Sequence, residues 1–231
     1  MFEFFEFVKV REGDPLYAEI FKLRYKVYCD EWGFEKAEDH PGGIEVDQYD
    51  TSSIHFAALR LPGRELIGTI RMIMYSNKGF PIEQHFEFDE ESQVALRHVD
   101  RRRCAEISRL AISKDYRRRA IDRVIFDGHD LPEQDLHQIR QERRRLENDI
   151  VLGLYREICR EGVSQGVTHL YAVMARGLCA LLKKVGIVFR RIGPEKDYHG
   201  MRGPYIGDMA TMTRDLEQIN PDLYRRFFSV D

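Results

Sequence analysis

The stretch Cys104-Ala105-Glu106-Ile107-Ser108-Arg109-Leu110-Ala111-Ile112 constrains this chain more than any other. It sets a carboxylate and a guanidinium three residues apart inside an otherwise apolar segment. Apolar residues at nearly every other place predict a strand covered on both faces. A charge inside such a strand is costly unless it is paired or used. On a regular strand Glu106 and Arg109 point to opposite faces, so a bulge near Ile107 or Ser108 is expected to bring them to one side. A bulge also leaves a backbone N–H unpaired, and such a donor can polarise a bound carbonyl. Two readings stand at this point: a structural ion pair at a strand end, or a site of chemistry.

Around this strand the pattern is mixed. Residues 2 to 10 predict an initial strand, and Asp14-Pro15 predicts the N-cap and first turn of a helix over about 15 to 31, with Leu16, Ile20, Leu23, Val27 and Tyr28 on one face. Arg24 lies along the edge of that face and, taken alone, reads as a surface residue. Residues 53–61 and 65–75 read as an antiparallel hairpin turning at Pro62-Gly63, with Arg71 either reaching the rim or held by an acid. Residues 76–98 read as a surface excursion. A charged insertion over about 117–147 is expected to be partly helical from 133, followed by a helix capped at Asn148 or Asp149 and running to Gly162. A strand at 168–174, a helix at 176–184 and a strand at 187–192 complete one mixed α/β domain over 1–231, with helices over a sheet. Leu223, Phe227 and Phe228 close the chain at near-helical spacing.

At 231 residues a large core is available without disulfides. Cys29, Cys104, Cys159 and Cys179 form no metal or redox spacing, so reduced cysteines are expected. No signal peptide or membrane span is evident, and a cytoplasmic protein is expected. Strand-linked glycine loops for nucleotides are absent, as is any context giving Ser108 or a cysteine a base. No metal and no bound cofactor is expected. The formal net charge is only −3, but its distribution is uneven. Residues 30–50 carry eight acids against Lys36, and residues 97–123 carry ten Arg or Lys against four acids. Two opposed regions suggest two different ligands. Asp47 and Asp50 suit an ammonium group, with a metal or a plain solvated loop as alternatives.

Five pieces occur in order: Leu23-Arg24-Tyr25-Lys26-Val27-Tyr28, Phe34, Glu45-Val46-Asp47-Gln48-Tyr49-Asp50, Gly68-Thr69-Ile70-Arg71, and Glu106-Ile107-Ser108-Arg109. This series resembles the acyl-homoserine-lactone synthases and the N-acyl amino acid synthases, and most of all the acyltransferases associated with exosortase systems. The resemblance implies a GNAT-like N-acyltransferase fold, α/β with a central mixed sheet flanked by helices. It further implies one cleft lined by Arg24, Tyr28, Phe34, Asp47, Asp50, Arg71, Ser108 and Arg109, with Glu106 as the general base. Phe34 stands where an autoinducer synthase has tryptophan, and Trp32 lies two residues earlier, which speaks against S-adenosylmethionine as acceptor. Arg117-Arg118-Arg119-Ala120 replaces a glycine-rich pyrophosphate loop, which favours an acyl group delivered on acyl carrier protein. Arg101, Arg102, Arg103, Arg117, Arg118 and Arg119 are the expected docking residues for that acidic carrier, a solvated basic loop or a nucleic-acid patch being the alternatives. The expected reaction moves a fatty acyl group to the amine of a small acceptor such as an amino acid, with no nucleic acid involved and the membrane approached only through a lipid product. Lactone synthesis from S-adenosylmethionine is the alternative enzyme, and a non-catalytic acyl-ligand or carrier-binding module is the alternative of another class.

Overall fold

In the computed structural model, which describes residues 4–114 and 133–228, the Phe-rich opening forms strand β1, Phe5–Val10. It pairs antiparallel with β2, Ser53–Arg60, from Phe5 opposite Arg60 to Val10 opposite His55. Between them helix α1, Pro15–Tyr25, starts on a proline that has no N–H to lose. Asp14 precedes it, but its carboxylate takes the Arg11 N–H at 2.7 Å instead of capping the helix. The predicted helix does not continue regularly to residue 31: from Lys26 to Glu31 it widens into a π-helix. Such segments are frequent at functional sites.

β3, Glu65–Met74, completes the predicted hairpin. Residues 76–98, expected at the surface, contain α2, Pro81–His85, and α3, Glu90–Leu96. They also bury Phe80 and Ile82 completely, so this passage is core as well as covering. β4, Cys104–Ile112, is the charged apolar strand. A single helix α4, Glu133–Ser164, replaces the predicted break near Asn148. Apolar side chains at Ile150, Leu154 and Ile158 give one buried stripe, and nothing at Asn148 stops the chain from entering that stripe already helical. β5, His169–Met174, and α5, Arg176–Lys184, follow as predicted. The strand expected over 187–192 shrinks to β6, Arg190–Arg191, with β7 at Lys196–Asp197. β8, Met201–Asp208, was hidden by its glycines and Pro204, and α6, Met209–Ile219, and α7, Pro221–Phe228, end the chain.

Hydrogen-bonded neighbours run in the order β1-β2-β3-β4-β5-β8-β6, with β7 on β8. β4 pairs parallel with β5, and β5 pairs antiparallel with β8, so the sheet is mixed. The chain divides into two units: Met1–Val46 with His55–Ile70 and Arg109–Tyr155, and Asp47–Ile54 with Arg71–Ser108 and Arg156–Asp231. In the first, Ile20 and Phe21 of α1 pack on Val10, Ala57 and Leu59. In the second, Tyr49, Ile73, Phe80, Ile82, Phe86, Cys104, Tyr171, Ile192 and Ile206 form the core around β4, β5 and β8. Among the described residues no helix is long and apolar enough to cross a membrane.

Candidate active site

The ladder between β4 and β5 runs from Cys104 opposite His169 to Ile107 opposite Ala172, although β4 itself continues to Ile112. Two residues past the last pair, Arg109 has φ +51, a left-handed conformation that side chains other than glycine adopt at a cost of about 1–2 kcal/mol. A bulge was expected near Ile107 or Ser108; what β4 carries is a left-handed residue at Arg109.

In the first unit, Arg24, Tyr28, Phe34 and Arg109 come together with Glu45, which the sequence placed in the ordered series without a role in the site. Arg24 is 1% exposed, not a surface residue, and its Nε donates to Glu45, which is wholly buried. The helix edge on which Arg24 sits is covered by the chain returning at Glu45, whose N–H donates to the Phe21 carbonyl at 3.2 Å. Arg109 Nε donates to Glu45 Oε1 at 3.1 Å, and its Nη2 reaches Glu35 at 3.3 Å. Burial alone would raise the Glu45 carboxyl, but the Arg24 and Arg109 charges outweigh it and hold it below the usual carboxylate range. The π-helix presents Tyr28 beneath Arg109, whose guanidinium lies 5.2 Å from the ring centre. Tyr28 meets Phe34 edge-on, and Phe34 stacks on Trp32 at 5.6 Å with 9° between the planes. Trp32, two residues from the expected position, thus adds its ring to Phe34. Lys114 lies 4.2 Å over the Trp32 ring, and its N–H donates to Glu31 at 2.9 Å.

In the second unit, Arg71 is held by acids, the second of its two expected fates. It is 1% exposed; its Nη1 donates to Asp47 Oδ1 and Asp50 Oδ1, both at 2.7 Å, and its Nη2 to Asp47 Oδ2 at 2.9 Å. Its Nε donates to the Ser108 hydroxyl at 2.9 Å. Asp50 also takes the Asp47 N–H at 2.7 Å, which closes the Asp47–Asp50 turn. Planar guanidinium against two carboxylates is a rigid arrangement. Glu106 is 2% exposed and accepts the Ile82 N–H at 2.9 Å. That donor comes from the start of α2, inside the passage read as surface. Tyr171 is buried beside this group, and burial pushes its phenol well up. Cys104 is pushed up to about 12 by burial first and then by Asp100 and Glu83, so it stays an inert thiol.

Of the arginines expected to dock a carrier, Arg117, Arg118 and Arg119 lie outside the described residues. Arg101 pairs with Glu83 and lies 5.8 Å over the Tyr75 ring, and Arg103 Nε donates to the Gly166 carbonyl at 3.0 Å. Their side chains, with that of Arg102, are exposed at the entrance to β4. Glu45, Glu35 and the Ile82 backbone are contacts to which the sequence assigned no site role. The signals for the two acids were their place in the acid-rich stretch 30–50 and, for Glu45, the Glu45–Asp50 piece of the ordered series.

Glu106 is thus buried in the central strand of a mixed sheet, one residue before the pairing of β4 with β5 ends. Residues 23–127 match the acetyltransferase (GNAT) domain family, and the fold around them is of the GNAT type. Similar solved structures include TofI in a ternary complex with an inhibitor and MTA, with 15% identity over 95% of this chain and 98% of that one and a TM-score of 0.61. BjaI, a CoA-dependent acyl-homoserine lactone synthase solved with SAM and isopentyl-CoA, shares 18% identity over 95% of this chain and 89% of that one, TM-score 0.58. FeeM, an N-acyl amino acid synthase from uncultured soil microbes, shares 12% identity over 93% of this chain and 96% of that one, TM-score 0.55. No curated protein matches the chain by sequence.

Proposed function

We propose that this chain is an N-acyl amino acid synthase that moves a fatty acyl group from acyl carrier protein to the amine of a small acceptor, an amino acid. The observation that carries the proposal is Glu106, a carboxylate buried in an apolar core where β4 parts from β5, with a backbone N–H on one oxygen. Amide formation needs a base for the proton of the attacking amine, and a desolvated carboxylate supplies one. Asp47 and Asp50, fixed by Arg71, favour an ammonium group nearby. Arg24, Tyr28, Phe34 and Arg109 enter this reading as binding residues through the family resemblance. The similarity of fold to BjaI and FeeM supports an acyl thioester and a small acceptor. Carrier docking at Arg101 to Arg103 and Arg117 to Arg119, a role beside an exosortase system, and a cytoplasmic setting belong to the same proposal.

The test is a donor and acceptor screen. Acyl carrier protein and acyl coenzyme A are each offered with free amino acids, with simple alkylamines and with S-adenosylmethionine; released thiol is measured and products are identified by mass spectrometry. Amide products from amino acids with the carrier donor support the proposal. Turnover with S-adenosylmethionine alone supports lactone synthesis instead, and donor binding without thiol release supports a non-catalytic module.

A further inference from the structure

In the first unit two guanidiniums face two carboxylates, and the four groups are not equally held. Glu45 is wholly buried and takes both Arg24 Nε and Arg109, whose Nε and Nη2 lie 3.1 and 3.0 Å from its Oε1. Although burial opposes it, the Arg24 and Arg109 charges keep the Glu45 carboxyl below its ordinary range, so it is ionised near neutral pH. That carboxylate is locked, because a buried guanidinium deprived of its partner is costly. Glu35 is the looser member. Its side chain is 25% exposed, that of Arg109 is 15% exposed, and Glu35 Oε1 meets Arg109 Nη2 at 3.3 Å. An ion pair that solvent reaches is worth little, so Glu35 can be displaced at small cost. The same guanidinium lies over the Tyr28 ring, and Phe34, the residue before Glu35, meets that ring edge-on. Arg109 is therefore fixed by Glu45 and Tyr28 and also carries a replaceable carboxylate.

We propose that Glu35 sets acceptor specificity: it occupies the Arg109 nitrogen that the α-carboxylate of the acceptor takes, and the acceptor binds by displacing it. The inference rests on Arg109 being an acceptor-binding residue. A carboxylate is the group that fits, since it carries the charge that Glu35 carries and its planar pair of oxygens matches the planar donors of a guanidinium. An ammonium group cannot take the place of Glu35, because it would face Arg109 with a like charge. With Glu35 in position an incoming carboxylate first meets a like charge, so this side chain raises the acceptor KM. It admits only groups that hold the guanidinium better than it does. A simple alkylamine has no such group and leaves the Glu35–Arg109 pair closed. A free amino acid and S-adenosylmethionine share the α-amino carboxylate, so displacement of Glu35 does not depend on which of them is the acceptor.

The experiment measures kcat and acceptor KM for the wild type and Glu35→Gln, together with their melting temperatures. The acceptors are a free amino acid, the amine that lacks its carboxylate, and S-adenosylmethionine. Glutamine keeps the size of the side chain and removes its charge. The KM for acceptors that bear a carboxylate is expected to fall by about 2- to 5-fold, the worth of one solvent-reached ion pair, while kcat and the KM for the decarboxylated amine move much less. An unchanged KM overturns the proposal, as does an equal fall for the decarboxylated amine, which would be a general charge effect. A raised KM overturns it too, because Glu35 would then bind the acceptor ammonium. In all three cases amide formation from the amino acid leaves the synthase reading intact. A lowered KM for S-adenosylmethionine in a protein that does not use amino acids does the reverse: the synthase reading falls and the Glu35 assignment stands. Turnover confined to acceptors without a carboxylate overturns both. A Glu35→Gln protein that melts well below the wild type would show that the pair serves the fold, and would overturn the proposal.

Discussion

Replacing Glu45 by alanine should be among the most damaging single changes to the fold of this chain. The Glu45 side chain is 0% exposed and that of Arg24 is 1%, so neither charge is compensated by water. Alanine strips Arg24 of this carboxylate while leaving its guanidinium inside. Breaking a buried pair in this way costs about 3–5 kcal/mol, because the surviving charge keeps its desolvation penalty. For a chain of this size that corresponds to a fall in melting temperature of roughly 6 to 20 °C. The double variant Arg24→Met with Glu45→Met removes both charges and keeps apolar volume, and it should lie within about 1 kcal/mol of the wild type or above it. Arg109 does not spoil the comparison, since it is 15% exposed and still reaches Glu35 at 3.3 Å. The assay is urea denaturation of the wild type, both single variants and the double variant, followed by circular dichroism. A Glu45→Ala protein within 1 kcal/mol of the wild type, or a double variant as unstable as Glu45→Ala, would refute the reasoning.

Acidification gives a second test of the same carboxylate. Its folded pKa is depressed, so its contribution is complete above the ordinary value of about 4.5 and is lost as pH falls through the lower folded value. The urea midpoint of the wild type should therefore drop more steeply below pH 4.5 than that of Glu45→Gln, and parallel curves would count against the linkage. Gly153 tests the packing of α4: a Cβ there would collide with the Phe7 ring, so Gly153→Ala should destabilise by about 1–3 kcal/mol despite the better helix propensity of alanine. A more stable alanine variant would mean that α4 and β1 are packed differently.

What was legible in the sequence follows from how local each signal is. Glu106, Arg109 and Arg71 stand out because each puts a charge inside a strand-like run, and burial of the run follows from its own residues. The pairing of Arg71 with Asp47 and Asp50 was foreseeable because an acid-rich loop precedes the hairpin. The Arg24–Glu45 pair was not, since helical periodicity places Arg24 at an edge and nothing in the helix reports that a loop 21 residues later returns to cover it. The Ile82 N–H that Glu106 uses was hidden for a related reason. Residues 76–98 are broken by Pro81 and several acids, and their apolar positions become core only because neighbouring strands receive them. β8 was missed because Gly203, Pro204 and Gly207 suppress a strand signal that pairing with β5 restores.

The central claim is that Glu106 is the base of an acyl transfer, and a single-turnover measurement tests it most directly. Wild type and Glu106→Gln are loaded with an acyl donor and mixed with a saturating amino acid acceptor, and amide formation is followed by rapid quench and mass spectrometry. The account predicts that the glutamine variant folds, binds the donor as the wild type does, and forms amide at least about 100-fold more slowly. Amide formation at the wild-type rate would contradict it.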